Sequence, residues 1–352
     1  MWDVIVAGAG PAGAVAALVL SRAGYRTLLA DKLGDNGSKI GEALPGSGLR
    51  LLRSLGLPVP GIGGPHTSIG GTFSSWNSDS LLVRDAIRDP DGPGWRLDRK
   101  RFDADLRNAA TDVGATYRAD DIGHVRRGDD GWEARFCSGG TARARWIVDA
   151  TGRRAAIARR LGISRIRDSR LIAFYATGGA DANFQLNRTV IEAVPGGWWY
   201  AARLPSGAPV AGFHTDAQKA ARLHAEPDAW SRELARTRHV ARIICQTEFV
   251  KVARALDARG ARLAQISGDR WIACGDAAMC FDPISGQGIF SALHSGYAGG
   301  IAIVDALNRD TAKLDEYSSR MNDVWNIYRT RRRAIYRTER RWPTAGFWSG
   351  ER

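Results

Sequence analysis

The chain has 352 residues, 44% hydrophobic and 25% charged, which fits a globular protein with a substantial core and excludes a disordered or low-complexity chain. Its formal net charge of +13 leaves three readings open: an Arg-rich solvated surface, attraction to an anionic substrate or acidic protein partner, and nucleic-acid binding. No apolar stretch reaches membrane-span length, the first strand begins too early for a signal peptide, and Cys137, Cys245, Cys274 and Cys280 lack metal-ligand spacing, so reduced thiols in a cytoplasmic protein are expected.

Residues 3–7 predict a buried parallel strand, 12–22 a small-residue helix and 26–30 a second strand. Gly8-Ala9-Gly10-Pro11-Ala12-Gly13 lies between strand and helix, and Asp31 follows the second strand. Strand, glycine turn, helix, strand and acid together are the context a dinucleotide-binding fingerprint requires. Gly8 permits the tight turn, Gly10 lets a pyrophosphate approach the backbone, and Gly13 lets helix and sheet pack closely. The helix N-terminus offers N–H donors to phosphates, and Asp31 is placed for ribose hydroxyls.

A polar loop leads to Lys39-Ile40-Gly41-Glu42, then a helix over 46–55 and a Gly- and Pro-rich loop over 58–71. Strands are expected at 72–76 and 80–86, and Trp95-Arg96-Leu97-Asp98-Arg99 leads into a helix over 101–113. Hairpin strands fill 115–147, and Val148-Asp149-Ala150-Thr151-Gly152-Arg153 passes from a strand into a helix ending at 161. Residues 170–265 alternate apolar and polar side chains, as half-buried antiparallel strands do, with one helical stretch near 216–238. A strand over 270–274, a small-residue helix over 287–308 and a final helix over 311–341 complete the chain. In that last helix Arg329, Arg331, Arg332, Arg333, Arg337, Arg340 and Arg341 interleave with Trp325, Tyr328, Tyr336 and Trp342. The spacing reads as aromatics turned inward and arginines shown to solvent, and without an accompanying motif no nucleic-acid partner is expected.

Cys274-Gly275-Asp276 ends the 270–274 strand, and Asp282-Pro283-Ile284-Ser285-Gly286-Gln287-Gly288-Ile289 opens the next helix. A Gly-Asp pair suits hydrogen bonds from a ribityl chain, and a Gly-x-Gly helix start suits N–H groups facing the electron-rich edge of a flavin.

Gly8–Gly13, Asp149–Arg153 and Gly275–Gly288 resemble the three signatures of single-Rossmann FAD proteins of the aromatic-hydroxylase fold. That superfamily includes aromatic monooxygenases, flavin-dependent halogenases and geranylgeranyl-reductase-like enzymes. The resemblance covers nearly the whole chain. It implies an α/β fold with a Rossmann-type FAD-binding domain (residues 1–70, 96–168 and 269–310). A mostly antiparallel β-sheet substrate domain (71–95 and 169–268) is inserted in it, and a C-terminal helix and tail (311–352) follow. It implies FAD as cofactor, with NADH, NADPH or reduced flavin from a separate reductase as electron donor. By the same resemblance Gly8, Gly10, Pro11, Ala12, Gly13, Asp31, Lys32, Glu42, Arg99, Gly152, Asp276, Pro283, Gly286, Gln287, Gly288 and Ile289 bind FAD. Pro283 and Ile284 would border one side of the isoalloxazine, and Lys39, Gly41 and Glu42 the other.

Halogenases of this fold carry Trp-x-Trp-x-Ile-Pro and a lysine that guides hypohalous acid. This chain has Gly197-Trp198-Trp199-Tyr200-Ala201-Ala202-Arg203-Leu204-Pro205 at the first, and residues 67–85 contain no lysine. Gly197–Tyr200, Gly94–Arg99, Asp282–Ile289 and the ending Glu339-Arg340-Arg341-Trp342-Pro343 with Phe347-Trp348 resemble flavoproteins that mature tryptophylquinone-bearing lysine and glycine oxidases. That likeness implies a monooxygenase that hydroxylates an aromatic ring through a flavin C4a-hydroperoxide. The aromatic substrate it implies is a tryptophan of a partner oxidase precursor, and the +13 net charge fits docking to an acidic partner protein. Halogenation, isoprenoid-alkene reduction and non-catalytic flavin-dependent docking are the alternatives. His66, His214 and His294 are candidate acid/base groups with no catalytic assignment, Trp76, Trp198 and Trp199 either line a substrate pocket or pack the core, and no metal site is expected.

Overall fold

The computed structural model describes residues 1–32, 40–226, 228–244, 249–252 and 255–351. Its central sheet runs parallel through Trp271–Ala273, Thr141–Asp149, Trp2–Ala7, Thr27–Asp31 and Thr116–Ala119. An antiparallel hairpin, Ile122–Gly128 with Gly131–Phe136, extends Thr141–Asp149 at its entry end. The apolar runs Val4-Ile5-Val6 and Ile147-Val148 are fully buried because helices sandwich the parallel strands. The Pro11–Arg22 helix lies against Gly288–Leu307, and small residues make the approach close: a Cβ on Gly296 would stand 2.2 Å from the Ala12 carbonyl oxygen.

A second sheet, separate from the first, has the order Phe249–Val252, Ile172–Gly178, Pro209–Thr215, Gly197–Arg203, Thr189–Val194, Gly71–Ser75 and Leu82–Asp85. All neighbours on that path are antiparallel except Thr189–Val194 with Gly71–Ser75. The half-buried strands expected from alternation are not what its centre contains, since every residue of Pro209–Thr215 is buried. Both faces are covered. Helices Ala217–Ala225, Ala229–Ala235 and Val240–Ile243 bring Leu223, Trp230 and Val240 against Trp199 and Phe213. The other face holds Tyr175 and Trp198 under Tyr336, Phe347 and Trp348 from the C-terminal segment.

Polar residues on these strands are buried with partners: Tyr175 Oη lies 2.8 Å from His214 Nε2, and Glu192 accepts from the backbone N–H groups of Arg238, His239 and Val240 at 2.6, 2.9 and 2.8 Å. Glu192 thereby holds the start of Val240–Ile243, and the single helix expected near 216–238 is two short ones, Ala217–Ala225 and Ala229–Ala235, with this third beyond them. The long helix Ala312–Thr338 is followed by a short one, Gly346–Glu351, that the sequence pattern did not signal. Two small three-stranded sheets complete the fold, one joining Ala43–Leu44, Trp95–Arg96 and Thr67–Ser68, the other Arg165–Arg167, Ala261–Leu263 and Met279–Cys280. Among the described residues no helix is long and apolar enough to cross a membrane and no side-chain cluster suits a metal ion. Cys274 and Cys280 are buried, Cys137 is exposed, and Cys245 lies outside the described residues.

Candidate functional site

Three turns meet at the carboxyl ends of the parallel strands. Gly8 has φ +103°, which glycine adopts without strain, and a Cβ on it would lie 2.2 Å from the Ala150 carbonyl oxygen. A Cβ on Gly13 would lie 1.8 Å from the Gly8 carbonyl oxygen, and one on Gly275 would lie 2.7 Å from the Ala12 Cβ. The glycine turn is thus packed against both other signatures, and these three glycines are required by the protein's own atoms.

Gly10 and Gly288 are different. Neither has a positive φ, and a Cβ on either would meet no protein atom within 4 Å. Each stands at the start of a helix, Pro11–Arg22 or Gly288–Leu307, that has no acidic residue in its first turn and no side-chain cap. Two other helices are capped by a side chain: Asp98 accepts from Arg101 N–H at 3.0 Å and Asp216 from Lys219 N–H at 2.8 Å. Uncapped donors beneath open space form a cradle for an electron-rich group. Gly152 and Gly286 border the same kind of open space.

Carboxylates and guanidinium groups fix the rim. Asp31 accepts from Ala9 N–H at 2.9 Å and Lys32 N–H at 2.8 Å, while the Lys32 side chain is exposed. Asp149 is fully buried and accepts from Thr151 N–H, Thr151 Oγ1, Ile157 N–H and Ala158 N–H at 3.1, 2.6, 3.0 and 2.9 Å. It holds the Thr151–Gly152 turn open without facing the groove itself. Arg153 donates to the Arg259 and Phe281 carbonyls at 2.9 and 3.1 Å, with Nε 3.7 Å from Asp276 Oδ2. Desolvation pushes the Asp276 carboxyl up, against the pull of Arg153, Arg165 and Arg99. Arg99 makes a two-pronged pair with Asp103 at 3.2 Å on both prongs and donates to the Gly41 carbonyl at 2.6 Å. It ties the Gly41-Glu42 loop to the nucleotide-fold helix. Lys39 lies outside the described residues.

Glu42 is buried in a network the sequence did not reveal. Its Oε1 accepts from Tyr200 Oη and from Arg96 Nη1 at 3.3 Å, and its Oε2 accepts from Gly41 N–H at 3.2 Å. Arg96 also donates to Tyr200 Oη at 2.6 Å and to Thr189 Oγ1 at 3.1 Å. Only tertiary structure brings Arg96 and Tyr200 together across the two sheets.

The Asp282-Pro283 turn is fixed from the opposite side. Asp282 accepts from Ile284 N–H at 3.0 Å, Arg332 Nε at 3.0 Å and Tyr336 Oη at 2.8 Å. Burial raises its carboxyl above the usual range, and Arg332 counters it. Arg332 therefore does not belong to the solvent-facing arginine stripe: it is buried at this turn, Arg329 pairs with Asp168 at 2.7 Å, and Arg341 pairs with Glu339 at 2.7 Å. Pro283 is half-buried, Ile284 packs toward Trp198, Gln287 is exposed, and Ile289 turns its side chain into the main core. Pro11 and Ala12 are buried. Trp198 stacks on His214 with centroids 3.6 Å apart, whereas Trp199 packs in the core on the far face, so only half-buried Trp76 retains exposed surface among the three tryptophans. His66 Nδ1 accepts from Asp98 N–H at 3.0 Å, and burial lowers the pKa of His66 and of His294.

The donor set fits FAD: open glycines at two uncapped helix starts for the pyrophosphate and the flavin ring edge, and an acid, Asp31, at the end of the second strand for ribose. Residues 1–328 match a family profile described as FAD binding domain. The chain is 30% identical over 364 residues to the FAD-dependent oxidoreductase LodB of Marinomonas mediterranea, spanning 99% of this chain and 96% of LodB. It is 23% identical over 352 residues to a 1H-pyrrole-2-carbonyl-peptidyl-carrier-protein brominase of Pseudoalteromonas luteoviolacea, spanning 91% of this chain and 81% of that protein. Among solved structures, the flavin-dependent halogenase CmlS superposes with TM-score 0.87 at 24% identity, over 100% of this chain and 67% of its own. The peptidyl tryptophan dihydroxylase QhpG, described as essential for tryptophylquinone cofactor biogenesis, superposes with TM-score 0.76 at 26% identity, over 99% and 78%.

Proposed function

Since the chain belongs to the FAD binding domain family and is an FAD-dependent oxidoreductase, we propose that it is a monooxygenase that hydroxylates an aromatic ring, a tryptophan of a partner oxidase precursor during quinone-cofactor biogenesis. The observation that carries this reading is the placement of the lysines. Of the lysine side chains the structure describes, Lys32 and Lys100 are exposed, Lys219 pairs with Glu233, and Lys313 pairs with Glu316. The sheet face that packs toward Ile284 is instead aromatic, with Tyr175, Trp198, Tyr336, Phe347 and Trp348. Halogenation would need a lysine to guide its oxidant, whereas oxygen insertion needs an aromatic-lined, water-poor site. The likeness to QhpG supports the tryptophan assignment.

Bound FAD would supply dioxygen activation. One oxygen atom enters the ring and the other leaves as water, with two electrons from NADH, NADPH or a separate reductase. In this reading Gly10, Pro11, Ala12 and Gly13 meet the pyrophosphate from the first helix, while Asp31 and Lys32 lie at the ribose end. Arg99, Gly152 and Asp276 lie along the linker, and Gly286, Gln287, Gly288 and Ile289 present backbone N–H groups to the ring edge. Pro283 and Glu42 flank the ring. The Tyr200 hydroxyl proton is held on Glu42, with Arg96 donating to the same hydroxyl oxygen.

The test supplies the FAD-loaded protein with NADH, heavy-isotope dioxygen and the precursor polypeptide of a tryptophylquinone oxidase. Tryptic peptides are then weighed. A tryptophan that gains labelled oxygen is the expected result. A gain of halogen mass without labelled oxygen, seen only with chloride or bromide present, would favour halogenation, and donor oxidation without labelled product would overturn oxygen insertion.

A further inference from the structure

Arg203 ends the Gly197–Arg203 strand, three residues beyond Tyr200. Its Nε is buried without a hydrogen-bond partner, and no carboxylate among the described residues pairs with its guanidinium. Arg203 as a whole is half-buried, and a guanidinium that pairs with no carboxylate is the group an oxyanion in the cleft would bind by charge-assisted hydrogen bonds. Arg203 borders a cleft of about 560 Å³ that Ile62, Thr67, Ser68, Arg96 and Asn187 also line. Two further features of this cleft matter. Thr67–Ser68 is an edge strand of its small sheet, so no strand among the described residues pairs with its outer edge, and just beyond it Gly70 N–H donates to the Asn187 carbonyl at 2.8 Å. At the inner wall Arg96 reaches Glu42 and Tyr200, while Ile62 on the rim is fully exposed.

We propose that this cleft receives an extended, acidic segment of the polypeptide substrate, seated along the outer edge of Thr67–Ser68 with one carboxylate on Arg203. The proposal rests on the reading of a polypeptide substrate given above. Three observations select the occupant. The Arg203 guanidinium, which pairs with no carboxylate among the described residues, suits an oxyanion, the outer edge of Thr67–Ser68 suits main-chain N–H and C=O groups, and the +13 net charge favours an acidic chain over a basic one. An acidic polypeptide meets all three, and the Arg96 wall would bring a neighbouring aromatic side chain beside the Glu42–Tyr200 pair.

The test measures equilibrium binding without oxygen or reductant, so it can succeed or fail independently of hydroxylation. The probes are an acetylated, amidated Glu-Ser-Trp-Ser-Glu peptide, its Gln-Ser-Trp-Ser-Gln counterpart, and NADH. They are titrated into the FAD-loaded wild type, Arg203→Gln and Arg203→Lys, with retained bound flavin as the folding check. The acidic peptide is expected to bind the wild type, to weaken about tenfold in Arg203→Gln as loss of one charge-assisted hydrogen bond implies, and to recover in part in Arg203→Lys. Equal affinity of the two peptides, acidic-peptide affinity unchanged by Arg203→Gln, or no peptide binding at all would each overturn the proposal. NADH as the only probe weakened by Arg203→Gln would overturn it too, and would reassign the oxyanion to a dinucleotide phosphate.

Discussion

His214 shows how a residue that looks catalytic in sequence can be a packing residue with a measurable thermodynamic signature. It is fully buried, shares a hydrogen bond with Tyr175 and stacks on Trp198. Desolvation lowers its pKa from 6.5 to about 3. The unfolded chain takes up a proton near 6.5 and the folded chain does not. The stabilisation is therefore fully present above the unfolded value and is lost as pH falls toward the folded one, at about 1.4 kcal/mol per pH unit. In urea unfolding between about pH 6 and pH 4, the stability of His214→Gln should fall less steeply than that of the wild type by about this amount. An identical slope in the variant would mean that His214 protonates in the folded state. Arg332 teaches the complementary lesson, because its place in a basic stripe suggested solvent and its carboxylate, Asp282, lies 50 residues away in sequence.

At the scale of elements, the two uncapped helix starts make a sharp contrast with their packed neighbours. Gly288→Ala should leave the stability of the FAD-free protein unchanged or raise it by up to about 1 kcal/mol, because the new methyl meets no protein atom and alanine favours the helix. The same change should weaken FAD binding about tenfold, read by flavin-fluorescence titration. Gly13→Ala should instead destabilise the FAD-free protein by about 3 kcal/mol in urea, since its Cβ collides with the Gly8 carbonyl. Equal stability losses in both variants would erase the distinction between ligand-facing and packing glycines. Most of this site's scaffold was legible in sequence, because local strand–turn–helix order carries its own signal from Trp2 to Asp31 and again from Trp271 to Gly288. The second sheet was less legible: cover on both faces erases the alternation that marks a strand, as in Pro209–Thr215. The Glu42–Arg96–Tyr200 network could not be read at all, because its members lie 54 and 104 residues apart and obey no local period.

For the whole molecule, the C-terminal segment completes the sheet face above which the proposed chemistry lies. Trp348 is fully buried, donates to the Val194 carbonyl at 2.9 Å and packs edge-on against Trp76 with centroids 5.3 Å apart. Trp348→Ala should cost about 3–5 kcal/mol in urea unfolding, the range for deleting a large buried aromatic. A loss below about 1 kcal/mol would show that the segment is dispensable to the sheet. The bond from Trp348 spans 154 residues, and that span has a consequence for the protein at birth. When Val194 leaves the ribosome, the tryptophan that will cover it has yet to be translated. At about 5–20 residues per second the sheet waits roughly 8–30 s for its lid. Through that interval a nascent chain exposes Trp76 and Trp198, and a cell making this protein must shield that surface until Trp348 arrives.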